Sequence, residues 1–252
     1  VRNALPPVLA ALGLIVLWQV YASAGPLGDD VLPPPTAVAE AGWSDRGDLA
    51  RATMPTVVGV LLGFSVSLAV AFVLSVLLDR SRPARRAIMP LLIGSQTLPI
   101  IVLAPLMVLW FGLGLTPKIL LVTLVTFFPV VVGLLDGYAS SDRDTTTLLR
   151  TMGAGWWTEF RLLRLPAAMP SFFTGLRISI TYAVVAVIFA EYASPTGGLG
   201  VYMQAARNSF RPDLVLAAVA VCATLTLALF ATTVAVQRAV MPWYADARRR
   251  DQ

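Results

Sequence analysis

Six stretches of this chain stay apolar for the length that a lipid bilayer demands: about 5–21, 53–78, 87–111, 119–135, 167–190 and 214–240. A helix crosses a hydrocarbon core of about 30 Å with about 20 predominantly apolar residues. Inside lipid the backbone has no water to bond, so such segments satisfy themselves as helices. Composition agrees: 57% of the 252 residues are hydrophobic and 13% are charged, more apolar surface than a soluble fold of this size can hide. The expected fold is all-α, a polytopic membrane protein with six transmembrane helices in a single transmembrane domain over residues 1–252.

Residue types remove several chemistries. With no His, His-based triads, His general bases and zinc–His sites are excluded. Cys222 stands alone, which excludes a disulfide within the chain and a cysteine metal cluster. The one Lys follows Gly114-Leu115-Thr116-Pro117 as Lys118, not in a phosphate-cradling G-x-x-x-x-G-K-[ST] loop. No metal site is expected in this chain.

Cytoplasmic loops retain basic residues, and that bias sets orientation. With the N-terminus inside, the cytoplasmic side holds thirteen Arg: Arg2, Arg80, Arg82, Arg85, Arg86, Arg143, Arg150, Arg161, Arg164, Arg238, Arg248, Arg249 and Arg250. The outside holds five basic residues: Arg46, Arg51, Lys118, Arg207 and Arg211. Both termini are therefore expected in the cytoplasm. The charge reads as topology, and no nucleic-acid partner is expected. Ala22-Ser23-Ala24 is similar to a signal-peptide cleavage site, but a basic region of one Arg, with Pro6 and Pro7 behind it, favours a retained first span.

Two outer segments carry turn chemistry. Residues 22–52, with Gly25-Pro26, Asp29-Asp30 and Pro33-Pro34-Pro35, are expected to form a turn-rich connection with extended proline geometry. In residues 192–213 the run Ser194-Pro195-Thr196-Gly197-Gly198-Leu199-Gly200 stops the fifth span. Its glycines permit a tight return over the bundle, as a connecting loop or as an external gate.

The third span holds Pro90, Pro99 and Pro105, with Ser95-Gln96-Thr97 near its middle. Each proline breaks a backbone hydrogen bond, tolerable where neighbouring helices or a water-filled cavity supply partners. Ser95, Gln96 and Thr97 are expected to face the bundle interior, as an interhelical hydrogen bond or as the lining of a pathway. Thr126 and Tyr182 point the same way more weakly. Glu191, the one carboxylate at the end of a long apolar run, is expected to anchor its helix at the outer interface or to sit at an external gate. Arg177 and Asp136 fall at comparable depth, so their pairing is expected. Gly-x-x-x-Gly is read as absent as a clean motif, so close dimer packing is not argued from it.

Residues 140–166 form the longest cytoplasmic loop, and its pattern is ordered. Asp144 and Thr145–Thr147 suit a helix start. Leu148, Leu149 and Met152 give one apolar face, and Gly153 suits a C-terminal cap. A second helix follows with Trp156, Phe160 and Leu163 at helical spacing, Arg161 and Arg164 on its other faces, and Pro166 as its terminator. A knob of this kind suits a membrane surface or a groove on a soluble partner equally.

The same loop resembles the signature of the permease subunits of binding-protein-dependent ABC importers. In consensus that signature reads E-A-A, three residues, Gly, nine residues, Ile, any residue, Leu-Pro. Here the run is Thr147-Leu148-Leu149, three residues, Gly153, nine residues, Leu163, Arg164, Leu165-Pro166. The leading Glu-Ala-Ala is replaced. Downstream, Pro166-Ala167-Ala168-Met169-Pro170, Gly175-Leu176-Arg177, Glu191 and Gly197-Gly198-Leu199-Gly200 are similar to the nitrate, sulfonate and taurine branch. Ser95-Gln96-Thr97-Leu98-Pro99, Ala104-Pro105-Leu106, Trp110-Phe111-Gly112, Phe127-Phe128-Pro129 and Asp136-Gly137 resemble the subgroup linked to thiamine precursors (hydroxymethylpyrimidine) and riboflavin.

The resemblance implies a non-catalytic membrane subunit, without a cofactor of its own, of a bacterial plasma (inner) membrane importer. Its partners would be two cytoplasmic ATP-binding subunits, which hold ATP and Mg, a second permease subunit in a homodimer, and an external substrate-binding protein. Leu149, Met152, Gly153, Ala154, Trp156 and Trp157 would couple to the ATPase. Ser95, Gln96, Thr97, Thr126 and Tyr182 would line the pathway, with Glu191 at a gate. The cargo would be a flat heteroaromatic; the alternatives are a nitrate-, sulfonate- or taurine-type anion, or an ion-coupled secondary transporter, which usually shows several intramembrane carboxylates or inverted repeats.

Overall fold

The computed structural model describes residues 5–24 and 32–242. Arg2, Gly25-Pro26, Asp29-Asp30 and Arg248–Arg250, used above for topology and turns, lie outside the described residues. Every regular element among the described residues is helical. In chain order they are α1 (Leu5–Ala24), α2 (Pro35–Ser44), α3 (Arg46–Arg80), α4 (Arg82–Ser95), α5 (Ile100–Phe111), α6 (Leu115–Ala139), α7 (Arg143–Thr151), α8 (Trp156–Glu159), a π turn (Phe160–Arg164), α9 (Leu165–Ala193), α10 (Leu199–Asn208) and α11 (Pro212–Val240).

Four of these helices are long and apolar enough to cross a membrane: α3, α6, the continuous run Trp156–Ala193, and α11. The pair α4–α5 makes a fifth crossing if its bend is counted within one span. The first apolar stretch forms α1, whose apolar part, Leu9–Ala24, is shorter. The third stretch is not a straight span: α4 and α5 meet at 99°. Gln96 ends α4, and Pro99, extended at ψ 124°, begins α5 without an N–H to continue the ladder.

α6 is the axis of the fold, packed between α3 and α9. Its contact with α3 is a stripe of small residues, Gly59, Gly63, Ser67, Ala71 and Ser75, buried four or so residues apart. Outside that stripe Val66, Val70, Val73 and Leu77 are exposed, as a lipid-facing side requires. Contact with α9 is closer still. A Cβ on Gly133 would lie 2.6 Å from the Ser171 carbonyl, and one on Gly175 2.4 Å from the Pro129 carbonyl. The motif read as absent is therefore present: Gly59–Gly63 and Gly133–Gly137 are Gly-x-x-x-Gly pairs at close helix contacts within the chain.

Other expectations are corrected locally. Residues 22–52 hold α2 and the start of α3, and residues 192–213 hold α10, so both outer segments are largely helical. Asp142, not Asp144, caps α7. Pro166 does not end a helix; the chain runs on through it into α9. The π turn just before it widens the ladder, which relieves the clash and lost donor that proline brings. Arg177 bonds Gln237 on α11, while Asp136 is exposed, so the expected Asp136–Arg177 pair is not formed.

Candidate functional site

At the arginine-rich end of the bundle the chain makes an elbow. Asp142 starts it by accepting from Asp144 N (3.3 Å), Thr145 N (3.0 Å) and Thr145 Oγ1 (2.5 Å). Those hydrogen bonds, from the Thr145 hydroxyl above all, hold its carboxyl below the usual range. α7 then closes with Gly153 N donating to Arg150 O at 3.0 Å and Ala154 N to Leu149 O at 2.9 Å. That bonding needs the left-handed φ of +82° found at Gly153. Met152 and Trp157, 75% and 63% exposed, form the tip with Leu148. Leu149, Ala154 and Trp156 are half-buried.

The elbow is braced from behind by a cluster in which Glu159, Asp79 and Tyr138 are groups that the sequence patterns above did not single out. Glu159 is buried and accepts from Arg150 Nε at 2.9 Å and Arg164 Nη2 at 2.6 Å. Arg164 also reaches Asp79, at the end of α3, at 2.8 Å. Trp156 stacks on buried Phe160 with centroids 5.1 Å apart, and Arg80 lies over the Trp156 ring at 5.1 Å. Phe160 in turn meets Tyr138 edge-on at 5.4 Å. The aromatics are thus mostly a socket for the elbow rather than its exposed surface, and Arg164 is internal to it. Glu159 was findable: it is the one carboxylate between Asp144 and Glu191.

Two adjoining cavities follow the side of the bundle along α6 and α9. One, of about 300 Å³, is lined by Ser95, Gln96, Phe128 and Tyr182 among others. The next, of about 440 Å³, shares Phe128 and Pro129 with it and adds Asp136, Ser171 and Thr174. Three predicted pathway residues, Ser95, Gln96 and Tyr182, thus meet at one hollow. Thr97 lies at the α4–α5 bend, exposed and bonded to Gly94 O. Thr126 is buried elsewhere: its hydroxyl donates to Ser67 Oγ at 2.8 Å, and its carbonyl accepts from Ser179 Oγ at 2.6 Å, joining α3, α6 and α9.

At the far end Glu191 is fully buried. It pairs with Lys118 Nζ at 3.2 Å and accepts from Thr56 Oγ1 at 2.9 Å and Gly200 N at 2.9 Å. Lys118 also donates to Gly197 O at 2.7 Å. A Cβ on Gly198 would fall 2.0 Å from the Glu191 carboxyl, so glycine is what lets the return loop fold over it.

Residues 59–246 match the family of binding-protein-dependent transport system inner membrane components. Among curated proteins the chain is 33% identical to the formylaminopyrimidine transport permease protein ThiX of Halalkalibacterium halodurans, over 96% of each chain. It is 32% identical to the riboflavin transport system permease protein RibX of Chloroflexus aurantiacus, over 92% of this chain and 88% of that one. It is 30% identical to the taurine transport system permease protein TauC of Escherichia coli, over 93% and 88%. Its fold is similar to a chain of the inward-facing MetNI methionine ABC transporter, with a TM-score of 0.63 at 18% identity, covering 80% of this chain and 98% of that one. The chain belongs to the binding-protein-dependent transport system inner membrane components: it is a non-catalytic, multi-pass permease subunit of a bacterial ABC importer, and ATP is bound by the partner ATPase.

Proposed function

We propose that two copies of this chain form the pathway for a flat, neutral or cationic nitrogen heteroaromatic of the aminopyrimidine type, handed over by an external binding protein. The observation that carries the choice of cargo is the lining of the two adjoining cavities. Among the described residues lining them, Asp136 is the one charged group, and none is Arg or Lys. A carboxylate in the cavity that adjoins the hollow of Gln96 and Tyr182, with Phe128 shared between the two, suits amine donors on an aromatic ring and repels a sulfonate. The names of the relatives ThiX and RibX support the same class, while TauC keeps an anion as the rival.

The elbow around Gly153 is the ATPase contact in this reading, with Leu149, Met152, Ala154 and Trp157 at the contact and Trp156 supporting them from the socket. Rigid-body closure of two ATPase subunits would swing it and turn the pathway from one side to the other. α1 then serves as a sixth crossing, the arginine-rich end and both termini face the cytoplasm, and Glu191 holds the outer loop as part of a gate. Uptake by the complete transporter in vesicles tests the cargo: a formylated or hydroxymethylated aminopyrimidine should be accumulated with ATP, and taurine should not. Accumulation of taurine alone would reverse the assignment.

A further inference from the structure

Six arginines converge on one basin at the elbow end of the bundle. It has a volume of about 650 Å³ and is walled by Arg80, Arg82, Arg85, Arg143, Arg150 and Arg164, with Asp79 the one carboxylate in its lining. Arg150 and Arg164 are committed to Glu159, and Arg164 to Asp79 as well. Arg80 lies over Trp156. Among the described residues Arg82, Arg85 and Arg143 make no ion pair, and Arg85 is half-buried. Membrane topology accounts for basic loops at this end. It does not require that six arginines line one shared hollow, in which the exposed Arg82 and Arg143 and the half-buried Arg85 carry positive charge with no carboxylate paired to them among the described residues.

We propose that this basin binds a phosphate group, and that the phosphate is that of an anionic phospholipid headgroup. Guanidinium forks match pairs of phosphate oxygens. Basic pockets between helices at the membrane boundary suit lipid headgroups. The position favours lipid over a free anion. Arg80 ends α3 at the basin, and the exposed stripe Leu77, Val73, Val70 and Val66 leads from there along α3 into the bilayer. Acyl chains would lie on that stripe with the headgroup among Arg82, Arg85 and Arg143. The inference borrows from the proposed orientation only the identity of the leaflet, which is then the cytoplasmic one.

Native mass spectrometry of the complete transporter, released from equimolar phosphatidylglycerol and phosphatidylcholine, tests this. The wild type should retain phosphatidylglycerol in preference. Arg82→Gln with Arg85→Gln should lower that preference by roughly tenfold or more, while Arg51→Gln with Arg207→Gln, at the other end, should leave it unchanged. Displacement of the lipid by inorganic phosphate at constant ionic strength would support the phosphate site but assign it to the free ion. Equal retention of both lipids with no phosphate binding overturns the proposal. So does cross-linking of an Arg82→Cys variant to the ATPase subunit in place of lipid retention, which would give the basin to an acidic segment of that partner. Retention is read without transport, so this inference and the cargo assignment fail separately.

Discussion

Lys118 on α6 and Glu191 on α9 form an ion pair of 3.2 Å with side chains 3% and 0% exposed. Lys118 is the single lysine of the chain, and its ammonium holds both the Glu191 carboxylate and the Gly197 carbonyl. Thr56 joins from α3, bonding Glu191 and accepting from Leu199 N at 2.9 Å. One charge pair therefore ties three long helices to the loop that leads into α10.

Breaking such a pair from one side leaves a buried charge without its partner, at a cost of about 3–5 kcal/mol. Lys118→Met and Glu191→Gln should each lower the thermal midpoint of the purified transporter by several degrees. The double variant should lose less than the sum of the two. Additive losses in that cycle would show the residues to be energetically independent.

Gly153 has open space where a Cβ would stand, so substitution there tests backbone and docking rather than packing. A left-handed residue with a side chain costs about 1–2 kcal/mol. Gly153→Val should leave the subunit inserted and folded but should separate ATP hydrolysis from uptake, with uptake falling more than hydrolysis. Gly153→Asn, better tolerated at positive φ, should be milder. Parallel assays of phosphate release and substrate accumulation in vesicles measure both. Unchanged coupling in Gly153→Val would remove the elbow from the drive mechanism.

Glu159 receives two arginines from either side of the elbow. Glu159→Gln removes the charge that holds them and should loosen residues 143–164 without unfolding the bundle. Hydrogen exchange should speed up in that segment more than in α6. Retention of the ATPase subunit in mild detergent should fall as well. Uniform protection in the variant would show that the socket formed by Tyr138, Phe160 and Trp156 positions the elbow unaided.

Gly175 lies so near the Pro129 carbonyl that a larger residue must push α6 from α9. Gly175→Leu should therefore sharply lower the yield of folded subunit in membranes, with Gly175→Ala intermediate. Gly13→Leu, on α1 with nothing within 4 Å of a Cβ, should cost little. Equal yields for Gly175→Leu and Gly13→Leu would contradict the close α6–α9 contact.

Much of this architecture was legible because lipid leaves few choices. Long apolar stretches had to be helices, and Gly153 with Leu165-Pro166 located the elbow. What escaped was tertiary. Pro99 signalled a break in the third stretch, but the direction of the 99° bend depends on what α5 packs against. Pro166 looked like a stop until the π turn before it absorbed the strain. Glu159 finds Arg164 and Arg150 5 and 9 residues away, and Lys118 finds Glu191 73 residues away; none of these is the i,i+3 or i,i+4 spacing that announces a pair on one helix face. Thr126 looked like pathway lining, yet a polar residue within a span serves equally to join helices.

Asp136 is exposed on α6 and lines one cavity with Phe128, Pro129 and Gly133, which adjoins the cavity of Gln96 and Tyr182. A charge-assisted hydrogen bond from a ring amine to this carboxylate contributes about 1.5–3 kcal/mol, or roughly tenfold and upward in affinity. Asp136→Asn keeps the shape and removes the charge. Uptake of an aminopyrimidine should then fall by about that factor through a weaker apparent affinity, while ATP hydrolysis by the assembled transporter is unchanged. Asp136→Arg reverses the sign and should favour sulfonates over amines. Concentration series of both substrate classes, run on the two variants in vesicles, decide the matter. If Asp136→Asn carries the aminopyrimidine as well as the wild type does, this carboxylate does not select the cargo.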